Sequence, residues 1–292
     1  MPKEMLRVNW RRDQFKLDIN PILDKYENYL RSRGYRPSSI SRYVNIIKIY
    51  LDRNGSIKPS VDDAANYRAD LLNSNRAKAT INLVSAALSQ FHKMYGEDVN
   101  FPYLKLNNKL PYYLTSDDVL SILSVIRNLK HYTMICLCFY CMLRASELIN
   151  LEDRDLDLKN LTLKVRNGKG GKDAFLPIAS DCAEVLRQYL EIRPKVVLQD
   201  GSIPLFPTDF GNKWDRRDLY RMFTAYKKKA GISIPGGTHL LRHSAASILI
   251  KNGADILTVK TLLRHERIET TARYLHTSDS IIRDKYQRYL VI

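Results

Sequence analysis

Apolar residues recur every three or four positions through most of this chain, the spacing of helices that bury one face. Ile22, Leu23, Tyr26, Tyr29 and Leu30 mark the first such run from residue 19. A turn at 34–39 follows, in which Ser38 or Ser39 can cap a second helix bearing Ile40, Tyr43, Ile46, Ile47 and Tyr50, ended by Gly55. Two further helical runs cover 61–72 and 77–95, so residues 1–98 read as a small helical bundle behind a polar, basic lead-in at 1–16. Periodicity lapses between 99 and 113, where Pro102 and Pro111 mark a linker whose Lys105 and Lys109 can cross a phosphate backbone.

Residues 114–292 form the second expected domain. Thr115 and Asp118 sit where they would cap a helix at 117–127, and the apolar run 132–143 predicts a buried helix with Arg144 at its end. The period changes to two at 161–165 and again at 174–178, around the turn Asn167-Gly-Lys-Gly-Gly171; this predicts a β-hairpin. Helices are expected at 181–192 and 216–230, with Trp214 packing, and an amphipathic tail at 278–292. The fold class is therefore mainly α with a small β-hairpin or sheet.

With 45% hydrophobic residues in 292, the chain can bury a proper core. Its net charge of +16 is evenly spread, with 19 Lys and Arg against 11 Asp and Glu in residues 1–110 and 28 against 20 in the remainder. A short basic tail would concentrate that charge. Two basic halves suit a polyanion, and a basic protein with no nucleic-acid role is the competing reading. Cys136, Cys138 and Cys141 lie in an apolar run without a second Cys or His cluster, which predicts buried reduced thiols in a cytosolic protein. The sequence has no run long enough for a membrane span and no apolar signal core, so a soluble, cytoplasmic protein with no membrane partner is expected.

Chemistry concentrates in residues 238–274. His239 and Arg242 are three apart on one helix face, His265 follows, and Tyr274 comes nine residues later. Three readings compete. The polar groups can be satisfied helix ends. His239 and His243 can be an i,i+4 zinc pair, but Leu240 stands where a metalloprotease needs its glutamate. Arginine to hold phosphate oxygens, histidine to move protons and tyrosine as hydroxyl nucleophile make a phosphodiester-cleaving set that uses every spaced residue. Lys169 in its glycine-rich turn suggests a nucleotide phosphate loop, but the Gly-x-x-x-x-Gly-Lys-Ser/Thr pattern is missing.

Four ordered motifs resemble the tyrosine recombinases, the phage-type integrases and the Xer group. They are Leu143-Arg144-Ala-Ser-Glu147-Leu148, Gly168-Lys169-Gly170, Thr238-x-x-x-Arg242-His243 with His239 inside it, and His265 with Tyr274. The resemblance implies a core-binding helical domain and a mixed, mostly helical catalytic domain acting on a double-stranded DNA recombination site. It implies Arg144 and Arg242 as phosphate clamps, with Glu147 placed to orient Arg144. His239 would accept the tyrosine proton, and His265 would donate to a nonbridging oxygen. Lys169 would protonate the leaving 5′-oxygen, and Tyr274 would form a 3′-phosphotyrosyl bond. It further implies a homotetramer on two synapsed sites, with no metal, ATP or small-molecule substrate, and a tail that docks on a neighbouring protomer or on its own domain. A type IB topoisomerase that nicks and reseals is the alternative from the same chemistry, and a catalytically silent DNA-binding protein is the one from another class. Met142 and Arg264 depart from the pattern, because each stands where the family usually carries glycine. If the second position needs left-handed backbone, Arg264 costs about 1 kcal/mol there.

Overall fold

The computed structural model describes residues 18–106, 112–166, 173–274 and 286–287; Lys169, Lys172 and most of the expected tail lie outside them. The chain divides into two compact units, Met1–Asn108 and Lys109–Ile292.

The first unit is a four-helix bundle of α1 (Asn20–Ser32), α2 (Pro37–Asn54), α3 (Val61–Asn73) and α4 (Lys78–Met94). Tyr26, Leu30, Ile47, Tyr50, Leu51, Leu88 and Phe91 are buried between them, and the Tyr26 hydroxyl donates to the Ala87 carbonyl at 2.9 Å. Neither Ser38 nor Ser39 caps α2. Arg36 is the N-cap, with no side-chain hydrogen bond, and Pro37 starts the first turn. Proline suits that position because its fixed φ is helical and no amide hydrogen is needed there. Gly55 ends the helix in left-handed backbone, as its sequence position suggested. The first part of the expected linker is anchored to the bundle. The Asn82 side chain exchanges two hydrogen bonds of 2.9 Å with the Leu104 backbone, and Arg68 donates to the Pro102 carbonyl.

In the second unit, α5 (Ser116–Ser124) opens on a capping box in which Thr115 and Asp118 bond each other's backbone amides. It stops before Arg127, because Asn128 already caps α6 (Leu129–Tyr140) by accepting from the His131 amide. Thr133 through Cys138 on α6 are buried, and α6 packs against α8 (Ser180–Ile192) and α10 (His239–Lys251). Between them lie α7 (Ala145–Ile149) and an antiparallel sheet of β1 (Leu156–Asp157), β2 (Thr162–Val165) and β3 (Ala174–Pro177) in that order. Leu163 pairs with Leu176, and both are buried, which sets the face of the sheet turned to the core. The order continues with α9 (Arg216–Lys229), and then, after α10, with α11 (Ile256–Leu263) and α12 (Glu269–Ala272). Lys227 of α9 is buried and donates to the Ile234 and Gly236 carbonyls, fixing the loop that enters α10. All four cysteines are free and buried, and burial pushes the Cys138 thiol up to about 12. Among the described residues, no helix is long and apolar enough to cross a membrane.

Candidate active site

Two helix ends build this site. The buried helix expected over 132–143 stops at Tyr140, and Met142 then takes left-handed backbone (φ 47°). That reversal makes Arg144 the N-cap residue of α7. At the end of α11, Arg264 is also left-handed (φ 53°), and the amides of Arg264 and His265 bond back to the Thr261 and Lys260 carbonyls. This is the Schellman turn, which normally ends on glycine. Both positions that depart from the family pattern thus have the backbone glycine would favour. Met142 meets the demand while burying its side chain with Leu263 and Tyr274.

The turns aim carbonyls inward, and guanidiniums collect on them. Arg242, 3% exposed on α10, donates to the Met142 carbonyl at 2.5 Å and to the Leu263 carbonyl. Arg144 donates to that same Leu263 oxygen at 3.5 Å and to Glu147 at 2.6 Å. Arg264 turns inward as well, reaching the Met142 carbonyl at 3.1 Å and the other oxygen of Glu147 at 2.6 Å. Arg144 and Arg264 therefore share the Glu147 carboxylate, and all three cations meet the carbonyl-rich ends of two helices, where the helix dipole is negative. Burial pushes Glu147 up, but Arg264 and Arg144 outweigh it and hold the carboxyl below its usual range. Burial, then Arg144 and Arg264, work against the charge on Arg242, although a guanidinium stays protonated in proteins.

The histidines and the tyrosine flank this cluster. Tyr274 is 2% exposed, and its hydroxyl is hydrogen-bonded to Nδ1 of His243 rather than to His239. Burial holds that hydroxyl above the ordinary tyrosine value, against the pull of Arg242 and Arg273. His243 is pushed down to about 4 by burial, His239 and Arg273, so its ring is neutral at pH 7 and Nδ1 can accept the proton. His239 is exposed, its ring centre 6.4 Å from that of His243, and packing around it followed by Arg242 and Arg144 lowers its pKa too. His265 pairs with the Thr271 hydroxyl at 3.0 Å and is lowered to about 4 by burial and then by Arg242 and Arg144. Thr271 lies in α12, and the Tyr274 amide bonds its carbonyl, so this short helix carries the tyrosine back to α10.

Arg144, Arg242, His239, His265 and Tyr274 thus belong to one neighbourhood built from α7, α10, α11 and α12, and Glu147 is bonded to Arg144. Lys169 lies outside the described residues. Sequence reasoning missed two things. It weighed His243 only as a zinc partner of His239 and gave it no part in the phosphodiester site, although the i,i+4 spacing places both on one face of α10. It treated Arg264 only as a source of strain, because a local motif does not show where a long side chain ends.

Comparison with known proteins gives the family. Residues 112–280 match the phage integrase family. The chain is 32% identical to the tyrosine recombinase XerA of Thermococcus onnurineus over 94% of this chain and 97% of that one. It is 28% identical to a tyrosine recombinase XerD of Staphylococcus epidermidis, over 93% and 99% of the two. Its fold is similar to a crystal structure of a XerA recombinase (TM-score 0.56, 26% identity, 94% and 100% covered). It is also similar to the Tn1549 transposon integrase in complex with transposon right-end DNA (TM-score 0.72, 21% identity, 92% and 99% covered). With more than half of its length matched to the family and four motifs in order, this chain belongs to the phage integrases, the tyrosine recombinases.

Proposed function

We propose that this protein is a site-specific recombinase that cleaves and rejoins double-stranded DNA through a 3′-phosphotyrosyl bond at Tyr274. One observation carries the reading. Arg144 and Arg242, from distant parts of the sequence, converge on the carbonyl of Leu263, two residues before His265. Two guanidiniums on one point form an anion clamp for the nonbridging oxygens of a phosphodiester, whose charge grows in the transition state. The Tyr274 oxygen attacks phosphorus, the bond to the 5′-oxygen breaks, and the tyrosine proton passes to a neutral imidazole. His243 holds the hydroxyl before the reaction, and His239 is the acceptor when the hydroxyl turns to the phosphate. His265 donates to a nonbridging oxygen. Lys169 supplies the proton taken up by the departing 5′-oxygen. Reversal by a different 5′-hydroxyl rejoins the strand, so bond energy is conserved without ATP.

The recombinase acts in the cytoplasm as a tetramer on two synapsed sites and exchanges strands in pairs through a Holliday junction. The near-full-length recombinase relatives support this over the topoisomerase reading, which finds no support among them. Sequencing DNA covalently trapped on the protein in cells tests the chemistry. Wild-type protein should yield adducts at a discrete site mapped by peptide analysis to Tyr274. Tyr274→Phe should bind the same site without forming adducts, and adducts persisting in that variant would refute the assignment.

A further inference from the structure

We propose that Arg264 is a positioning residue for strand cleavage, setting the Arg144 guanidinium through the carboxylate they share on Glu147. The inference rests on the reading of Arg144 as a phosphate clamp. Among the described residues, apart from its bond to Glu147 Oε1 at 2.6 Å, the side chain of Arg144 has only the long 3.5 Å contact with the Leu263 carbonyl, and it is 27% exposed. The orientation of Glu147 therefore decides where Arg144 points. Glu147 Oε2 is held by the Arg144 amide at 2.7 Å and by Arg264 Nη2 at 2.6 Å.

Among the described residues, the ion pairs of Glu147 are with Arg144 and Arg264, so without Arg264 its remaining ion pair would be with the residue it has to orient, and the pair could turn together. Arg264 supplies an outside reference. Its side chain is 10% exposed and is pinned by the Leu262 carbonyl at 2.8 Å and the Met142 carbonyl at 3.1 Å. It also divides the negative charge of Glu147, so less of the Arg144 charge is neutralised before a phosphate arrives. The side chain is attached at a left-handed position where glycine would be unstrained. An arginine there strains the backbone, and its contacts with the cluster are what it provides in return.

The test is Arg264→Gly, which keeps the turn and removes the guanidinium. Single-turnover cleavage of a nicked duplex carrying the adduct-mapped site is compared with gel-shift affinity for the same duplex. Cleavage should slow by about tenfold, the coupling usual between contacting charged groups, with affinity unchanged. Added guanidinium ion should restore part of the rate. In a Glu147→Gln background the same substitution should cost little more, because the carboxylate that transmits it is gone. A wild-type cleavage rate, a loss confined to affinity, or a full tenfold loss in the Glu147→Gln background would each overturn the proposal. If Arg264→Gly melts early, Arg264→Lys keeps the charge but cannot bridge Glu147 and both carbonyls. It should then show the rate defect without an affinity defect, and a wild-type rate would again overturn the idea. Arg144→Ala separates the two levels. If it cleaves normally, the clamp reading itself fails; if it is inactive while Arg264→Gly is normal, only the positioning role fails.

Discussion

At Met142 and Arg264 the backbone is left-handed beneath side chains that glycine would have spared, and the two positions reconcile that strain differently. Met142 is 3% exposed in the cluster that holds Tyr274. Burying a methionine stabilises by about 1.5–3 kcal/mol, against about 1 kcal/mol for the backbone conformation. Met142→Gly should therefore lower stability by about 1 kcal/mol in urea melts despite relieving the turn; a stabilised variant would show that strain dominates. Lys169 belongs to the same scale, since a 5′-alkoxide leaves poorly without a proton. Lys169→Ala should cleave ordinary DNA very slowly and recover on a substrate whose bridging 5′-oxygen is replaced by sulfur, because a thiolate needs no proton. Rescue of Lys172→Ala instead would exchange the two assignments, and rescue of neither would place the acid elsewhere.

Helix ends set the larger geometry. The capping box of Thr115 and Asp118 satisfies amides that begin α5, the first helix of the second unit. Thr115→Ala should cost about 1 kcal/mol. Ser38 makes no capping bond in α2, so Ser38→Ala should stay within about 0.5 kcal/mol of wild type in the same denaturation measurement. A comparable loss at both positions would contradict the assigned start of α2. The C-terminal ends of α6 and α11 do more than stop helices, because their Met142 and Leu263 carbonyls hold Arg242 and, with Glu147, Arg144 and Arg264. Elements that are separate in sequence are joined through backbone oxygens. That is why two glycine-preferring positions fall beside the arginines.

For the whole molecule, acid should act through the histidines. His243 and His265 sit near 4 in the folded protein against 6.5 for an unperturbed histidine, with burial the leading cause. Below 6.5 the unfolded chain binds protons first, so the stabilisation present above that pH is lost progressively as pH falls toward 4. The melting temperature of the second unit should fall through this window, and less steeply in His243→Asn; identical slopes would mean that His243 is not held neutral. Much of this architecture was already legible in the chain. The bundle, the hairpin strands and the buried cysteines follow from periodicity, because a helix or strand must present its apolar residues at a fixed repeat, whereas the ordered Arg, His and Tyr positions came from the resemblance to the tyrosine recombinases. Helix starts were less legible, as Pro37 displaced the serines expected to cap α2. What only the tertiary structure decided were contacts between distant segments: Asn82 gripping Leu104, His243 rather than His239 bonding Tyr274, and Arg264 turning inward to Glu147. Local sequence sets where a backbone turns. Where a long side chain comes to rest depends on which carbonyls and charges other segments bring to it, and those segments meet only when the chain has folded.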